Sequence, residues 1–259
     1  NRIQNSSSTT SFSSRETALD AALLYRPIET MKFYGKVGSF YHAPFIDEIF
    51  AGAGTPNLSL DPETGYNLEI GSEYHIAKEW TTSLSLYDME MADEIYYDPS
   101  VWKTLNAPGD TRRLGLDADL RWSRDHVAGG ALYYRATQSK FTDGAYDDNY
   151  MPLVPAQTLG LNGEYYLFHD LAVMGGFRYV SRQYLGSDFK NRAEPLKPYP
   201  LFDCGVRYEP SFLNGLRITF GIDNLFDREY CDYAGYGSGY SYYYPAQGRF
   251  WKLGASYTF

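Results

Sequence analysis

The chain lacks any long apolar run. Nowhere in its 259 residues is there a stretch approaching the roughly 20 apolar residues that a transmembrane helix needs, so helical membrane spans are excluded. Cysteine is scarce as well. Cys204 and Cys231 are the two present. They are too few for a disulfide scaffold, and the pattern sets one mid-strand and the other at a strand end beyond a reversal, a poor match to the short Cα separation of a bridge. Positive charge is outnumbered, with a formal net charge of −9, which argues against a nucleic-acid surface, since such surfaces are basic. Histidine occurs four times, no His-based catalytic set emerges, and no Gly-rich phosphate loop precedes a helix. Catalytic residues, a resident metal and a cofactor are therefore not expected. The chain opens at Asn1 without an initiator Met or a signal peptide, so a targeting segment is expected to be removed or to lie upstream.

What is abundant is aromatic surface. Tyr 26, Phe 15 and Trp 4 make up 17% of the chain, with Tyr leading because its ring has an apolar body and a wet tip. Side chains on a strand alternate between faces. At the C-terminus Trp251, Leu253, Ala255, Tyr257 and Phe259 fall on one face, and Phe250, Lys252, Gly254, Ser256 and Thr258 on the other. One face suits lipid and the other a wetter space. The terminal aromatic, with Gly and further aromatics at period 2 before it, resembles the signal by which bacterial outer-membrane barrels are recognised for insertion.

Similar alternation recurs along the whole chain, in segments of about 10 residues, as a transmembrane barrel requires. The first strand is read from Arg15 to Tyr25, with a turn at Arg26-Pro27-Ile28-Glu29 and a return from Met31 to Tyr41. Long connections are expected at Ala43–Pro62 and near 97–109, 143–156, 185–198 and 231–246. Short ones fall near Ala77-Lys78, Ser123-Asp125, Phe168-Asp170 and Glu209-Asn214. Outer-membrane barrels have short periplasmic turns and long extracellular loops. The chain therefore reads as a single unit over residues 1–259, all-β and antiparallel, a transmembrane β-barrel portion of about eleven strands. Asn1 to Ser14 reads as extracellular loop. An odd count with an outside start implies an incomplete barrel, while a β-sandwich or propeller would not predict the regular long and short alternation.

Four motifs then carry a family resemblance. Gly221-Ile222-Asp223-Asn224-Leu225-Phe226-Asp227-Arg228-Glu229-Tyr230 resembles the penultimate-strand motif of TonB-dependent outer-membrane receptors, and Tyr243-Tyr244-Pro245-Ala246-Gln247-Gly248-Arg249 resembles their entry to the last strand. Tyr41-His42-Ala43-Pro44-Phe45, with Pro56-Asn57-Leu58, is similar to the Ala-Pro and Asn-Pro-Asn-Leu boxes, and Thr111-Arg112-Arg113-Leu114-Gly115-Leu116-Asp117 to the Arg-x-Gly-x-Glu strand. The resemblance implies the C-terminal half of a plugged barrel of about 22 strands, with plug, coupling box and first strands absent. It also implies an outer-membrane receptor that takes up a scarce nutrient, foremost a ferric siderophore, with cobalamin, haem or a glycan as other cargoes. The implied partners are the lipid bilayer, an iron chelate or similar small molecule, and a TonB-type energy-coupling protein. A small autonomous barrel, porin or rim hydrolase, is the rival class.

Ligand contact is expected in the external loops, chiefly at Tyr236, Tyr240, Tyr242 and Tyr243, where glycines interleave with stacking rings. Trp102 and His42 are weaker candidates. His42 stands where the family usually has Arg and reads foremost as a solvated rim residue. Asp143, Asp147, Asp148 and Asn149 offer closely spaced oxygens, more in keeping with a solvated acidic loop than with calcium. Asn224 and Asp227 read as caps for backbone groups at the rim. Arg113, Gly115, Asp117, Asp119 and Arg121 read as a mixed-charge column on the lumen side. Arg112 and Lys103 are the cations expected to offset the acidic balance toward an anionic ligand.

Overall fold

Alternating segments with one apolar face need strand partners for every backbone N–H and C=O, and the chain supplies them in sequence order. The computed structural model describes residues 2–5, 8–11, 15–50, 56–98 and 101–259. In chain order these form β1 (Arg2–Asn5), β2 (Ser8–Ser11), β3 (Asp20–Ile28), β4 (Met31–His42), the short helix α1 (Ile46–Phe50), β5 (Glu63–Ala77), β6 (Trp80–Ala92), β7 (Ile95–Asp98) and β8 (Lys103–Asn106). Then follow β9 (Thr111–Arg124), β10 (Ala128–Phe141), β11 (Gln157–Phe168), β12 (Leu171–Val180), β13 (Tyr199–Tyr208), β14 (Leu216–Asp223), β15 (Cys231–Gly237), β16 (Tyr240–Pro245) and β17 (Phe250–Tyr257).

The main sheet has eleven strands in the order β17-β14-β13-β12-β11-β10-β9-β6-β5-β4-β3, and every pairing is antiparallel. It is open, with β3 and β17 each bonded to a single neighbour among the described residues. All short turns emerge at one end and all long connections at the other, as the alternation predicts. Three details differ from the expectation. The first strand begins later and runs on through Pro27 to Ile28, because the ladder bulges between Tyr25 and Ile28 and an edge strand tolerates a residue without an N–H. Two long connections are built rather than loose, since β7 pairs with β8 and β15 with β16 as separate hairpins. Of the stretch from Asn1 to Ser14, residues 2–5 and 8–11 pair as a small ladder, and the rest lies outside the described residues.

Cross-strand register sorts the side chains into two faces. Ile70, Leu86, Leu116 and Ala136 stand opposite one another along adjoining strands, and Leu161, Phe177, Phe202, Phe220 and Leu253 continue the same apolar face. Ile70, Leu86, Leu161, Phe202, Phe220 and Leu253 are exposed even though they are apolar, and Leu116, Ala136 and Phe177 are half-buried among them, as on a surface that meets lipid. The band has visible limits. Trp80 packs against Trp122 at the short-turn end, ring centres 5.8 Å apart. At the other end Arg112 donates from Nε to Asp88 at 2.8 Å, and the Tyr66 hydroxyl donates to Glu90 at 2.6 Å. Trp122 and Arg112 are ten residues apart on β9. That is about 33 Å of extended strand, which at a tilt of ~40° rises about 25 Å, the height of a barrel's apolar band.

The opposite face is polar and neutralises itself within the wall. Arg135 bridges Asp117 and Asp119 at 3.3 and 3.0 Å, Arg113 meets Glu94 at 2.6 Å, Arg207 meets Glu164 at 2.8 Å, and Lys252 meets Asp223 at 2.7 Å. Arg113, Gly115, Asp117, Asp119 and Arg121 do form one column, with its acidic members answered by the next strand. On this face three tyrosines lie flat over glycines of the adjacent strand: Tyr34 over Gly71, Tyr87 over Gly115 and Tyr133 over Gly160. A Cβ on any of these glycines would sit 2.0 to 2.4 Å from the ring. The ring covers the backbone that glycine leaves bare, the aromatic rescue known for strand glycines.

Candidate functional site

Among the described residues, the buried apolar clusters form at the long-loop end. Asp188, almost fully buried, accepts the N–H groups of Arg192 and Ala193 and so folds the 181–198 loop on itself. Leu185 and Leu196 then pack with Ala234, which comes from β15. Gly186 and Tyr236 complete the joint, since Gly186 N–H donates to Ala234 O and Tyr236 N–H to Gly186 O, both at 2.8 Å. The β15–β16 hairpin is therefore docked along the 181–198 loop. Ser238 and Gly239 turn it, both with positive φ, as a two-residue primed turn requires. Rings of Tyr96, Phe141, Tyr146 and Phe189 gather three further segments, with centres 4.9 to 5.8 Å apart. Burial pushes the Tyr96 phenol up to about 12.

The hairpin divides the predicted tyrosines between its faces. Tyr240 and Tyr242 share one face with Tyr233 and Tyr244. Tyr242 lies over Gly235, and the Tyr244 ring meets both Tyr242 and Tyr233 edge-on. Burial first, then Tyr233, Tyr244 and Asp98, pushes the Tyr242 phenol up, so it remains a hydrogen-bond donor well into the alkaline range. Tyr236 and Tyr243 fall on the other face. Tyr236 packs on the Leu185–Leu196–Ala234 cluster, while Tyr243 lines a cavity of about 800 Å³ with Tyr230, Lys197 and Arg228. The loop read as adaptable is thus a tyrosine-faced ribbon on a firm seat.

The remaining candidates lie apart from it. Trp102 is exposed near the tip of the β7–β8 hairpin, with φ of 54°. His42 is not a solvated rim residue: its Nδ1 is 2.9 Å from Glu63, its Nε2 is 3.5 Å from Glu48, and Phe45 packs on its ring. Glu63 also accepts the Ile95 N–H at 2.6 Å, so the group ties β4 and β5 to β7. The four oxygen-bearing residues of the 143–149 loop do not converge. Asp143 accepts the Asp110 N–H, Asp148 pairs with Lys140, and Asn149 donates to Phe189 O. Arg112, expected to help an anionic ligand, is clamped by Asp88 on the apolar side of the wall, away from the tyrosines' end of the inner face. Cys204 and Cys231 are free thiols. The rim caps behave as read: Asn224 accepts the Arg228 N–H at 2.8 Å and donates to Arg228 O at 2.9 Å, and Asp227 accepts the Arg249 N–H.

Sequence reasoning missed one residue. Arg178, two places before the end of β12, stands on the polar face and lines a cavity of about 420 Å³ with Tyr133, Asn162, Asp203, Asp223, Tyr230 and Gln247. The signal was available in the alternation of β12, which sets Arg178 opposite in face to Phe177.

Comparison with known proteins agrees with this architecture. A family described as TonB dependent receptor-like, beta-barrel, matches residues 2–225. The chain is 25% identical over 226 residues to the pesticin receptor of Yersinia pestis and 24% to that of Yersinia enterocolitica, covering 84% of this chain and 32% of each relative. It thus spans about a third of the length of the curated relatives it matches. Among solved structures it resembles the ferric yersiniabactin uptake receptor FyuA from Yersinia pestis, with a TM-score of 0.73 at 19% identity over 93% of this chain and 37% of that one. The ferric-catecholate import receptor Fiu of K12 E. coli gives 0.71 at 20% over 93% and 34%. By its strand order, its two-faced wall and a family match over most of its length, the chain belongs to the TonB-dependent receptors, a family of transport receptors that sits in the bacterial outer membrane.

Proposed function

We propose that the chain is the C-terminal half of the barrel wall in a receptor for a scarce iron chelate, most simply a ferric siderophore, and that its external loops make the first contact. The observation that carries this reading is the tyrosine face of the β15–β16 hairpin, held on the 181–198 loop above the inner face. Tyr240 and Tyr242 on that face, and Tyr243 on the other beside the rim cavity, supply stacking area and phenol donors, with Tyr236 as the anchor and Trp102 and His42 further off. Each well-placed ring contributes about 0.5–1.5 kcal/mol beyond area burial. Several of the similar receptors are described as carriers of ferric chelates, which favours iron over other cargo. Release to the periplasm would follow when a TonB-type protein engages a plug region in the complete receptor, with no chemistry on the ligand.

Growth on a panel of iron chelates, with and without the gene, tests the reading. At least one chelate should support growth only when the gene is present. Uptake unaffected by deletion for every chelate would overturn it. In the complete receptor, replacing Tyr240, Tyr242 and Tyr243 together by Ala should weaken chelate binding while heat-modifiable migration, the mark of a folded barrel, is retained.

A further inference from the structure

The chain carries a net charge of −9, yet residues 178–197 hold Arg178, Arg182, Lys190, Arg192 and Lys197 against only Asp188 and Glu194. Asp188 is buried in the loop. None of the five cations forms an ion pair among the described residues, whereas Lys32, Arg113, Arg135, Arg207 and Lys252 on the inner wall each do. The basic stretch lies under and beside the tyrosine hairpin, through the Gly186–Ala234 and Tyr236–Gly186 hydrogen bonds.

Arg178 is the member of this group that reaches the inner face. Two acids share its cavity and both are engaged elsewhere: Asp203 accepts the Asn224 N–H at 2.8 Å, and Asp223 pairs with Lys252. Tyr230 lines the same cavity, and its ring packs 4.5 Å from that of Tyr199. Asn162 and Gln247 add neutral donors. Tyr230 and Gly248 line both this cavity and the larger one at the rim, so the two adjoin. A planar guanidinium with no ion-pair partner among the described residues, in a cavity adjoining the one at the rim, suits an oxygen anion presented from outside.

We infer that Arg178 is an anion-recognition residue, and that the chelate this receptor takes is negatively charged, with carboxylate or catecholate-type oxygens directed to the Arg178 cavity. This rests on the proposal that the cargo is a metal chelate, and narrows its charge. The cations of residues 182–197 then draw the ligand toward the cavity through the field of a basic patch on an acidic protein.

The test uses the complete receptor in detergent, titrated with an anionic ferric tris-catecholate and an uncharged ferric tris-hydroxamate while intrinsic fluorescence is followed. The catecholate should bind more tightly, and raising the salt should weaken it selectively. Arg178→Gln should lose about tenfold in catecholate affinity, the scale of a lost charge-assisted hydrogen bond, and leave the hydroxamate unchanged. Arg178→Lys should recover part of the loss, and Arg121→Gln, at the short-turn end of the inner face, should have no effect. Heat-modifiable migration of each variant confirms folding. Equal affinity for the two chelates, or equal losses on both in Arg178→Gln, overturns the charge assignment while leaving chelate uptake standing. Binding of neither chelate, with no growth on any in the deletion comparison, overturns both.

Discussion

Asn224 shows how much one short side chain does at the rim. Its φ is 50°, it is almost fully buried, and its amide satisfies both the N–H and the C=O of Arg228 while its own N–H goes to Asp203. Asn tolerates this left-handed backbone better than other non-glycine residues. Asn224→Ala removes both hydrogen bonds to the Arg228 backbone and should lower stability by about 1–3 kcal/mol, at about 0.5–1.5 kcal/mol for each, read as an earlier midpoint of unfolding in denaturant. An unchanged midpoint would mean that the reversal is held by the strands alone. At the short-turn end, the Ser211 hydroxyl first, then its N–H and His169, hold the Asp170 carboxyl below its ordinary value. A depressed folded pKa contributes stability that is present above the unfolded value, about 3.9, and lost as pH falls through the folded value. The Ser211 amide resonance should therefore titrate below the ordinary carboxylate range and stay flat in Asp170→Asn. A flat response in both proteins would dissociate the turn from this carboxyl.

Among the elements, the tyrosine-over-glycine contacts make a sharp contrast. In Gly115→Ala the new Cβ would meet the Tyr87 ring at 2.1 Å and displace its hydroxyl from Thr137, 3.0 Å away. Overpacking of this kind costs about 1–3 kcal/mol. Gly175→Ala, on the apolar face with nothing within 4 Å of the new Cβ, should cost little. Combining Gly115→Ala with Tyr87→Ala should remove most of the penalty, and a fully additive double variant would contradict the contact. The strands were legible because period-2 alternation and turn residues coincide, down to the count of eleven. The loop hairpins were not legible. In β15 and β16, Tyr and Gly alternate without an apolar and a polar face, so period 2 was hidden, and the partner that buries Ala234 lies on another loop about 40 residues earlier. His42 was misjudged for a similar reason: Glu48 and Glu63, which flank it, are brought near by α1 and by strand pairing.

At the scale of the whole molecule, the two faces of one sheet explain both composition and placement. The apolar face repeats from β3 to β17, while most inner-face charges pair within the wall, and among the described residues Arg178 and the cations of its loop form no ion pair. Everything proposed for the loops depends on that division, and site-directed spin labelling of the complete receptor in a bilayer tests it directly. With Cys204 and Cys231 replaced by Ser, single cysteines at Leu132, Leu161, Phe220 and Leu253 should carry labels that collide with lipid-dissolved oxygen. Labels at their inward neighbours Ala131, Asn162, Thr219 and Lys252 should not. Oxygen accessibility that fails to alternate between these neighbouring positions would contradict a wall with one face in lipid and the other in the lumen.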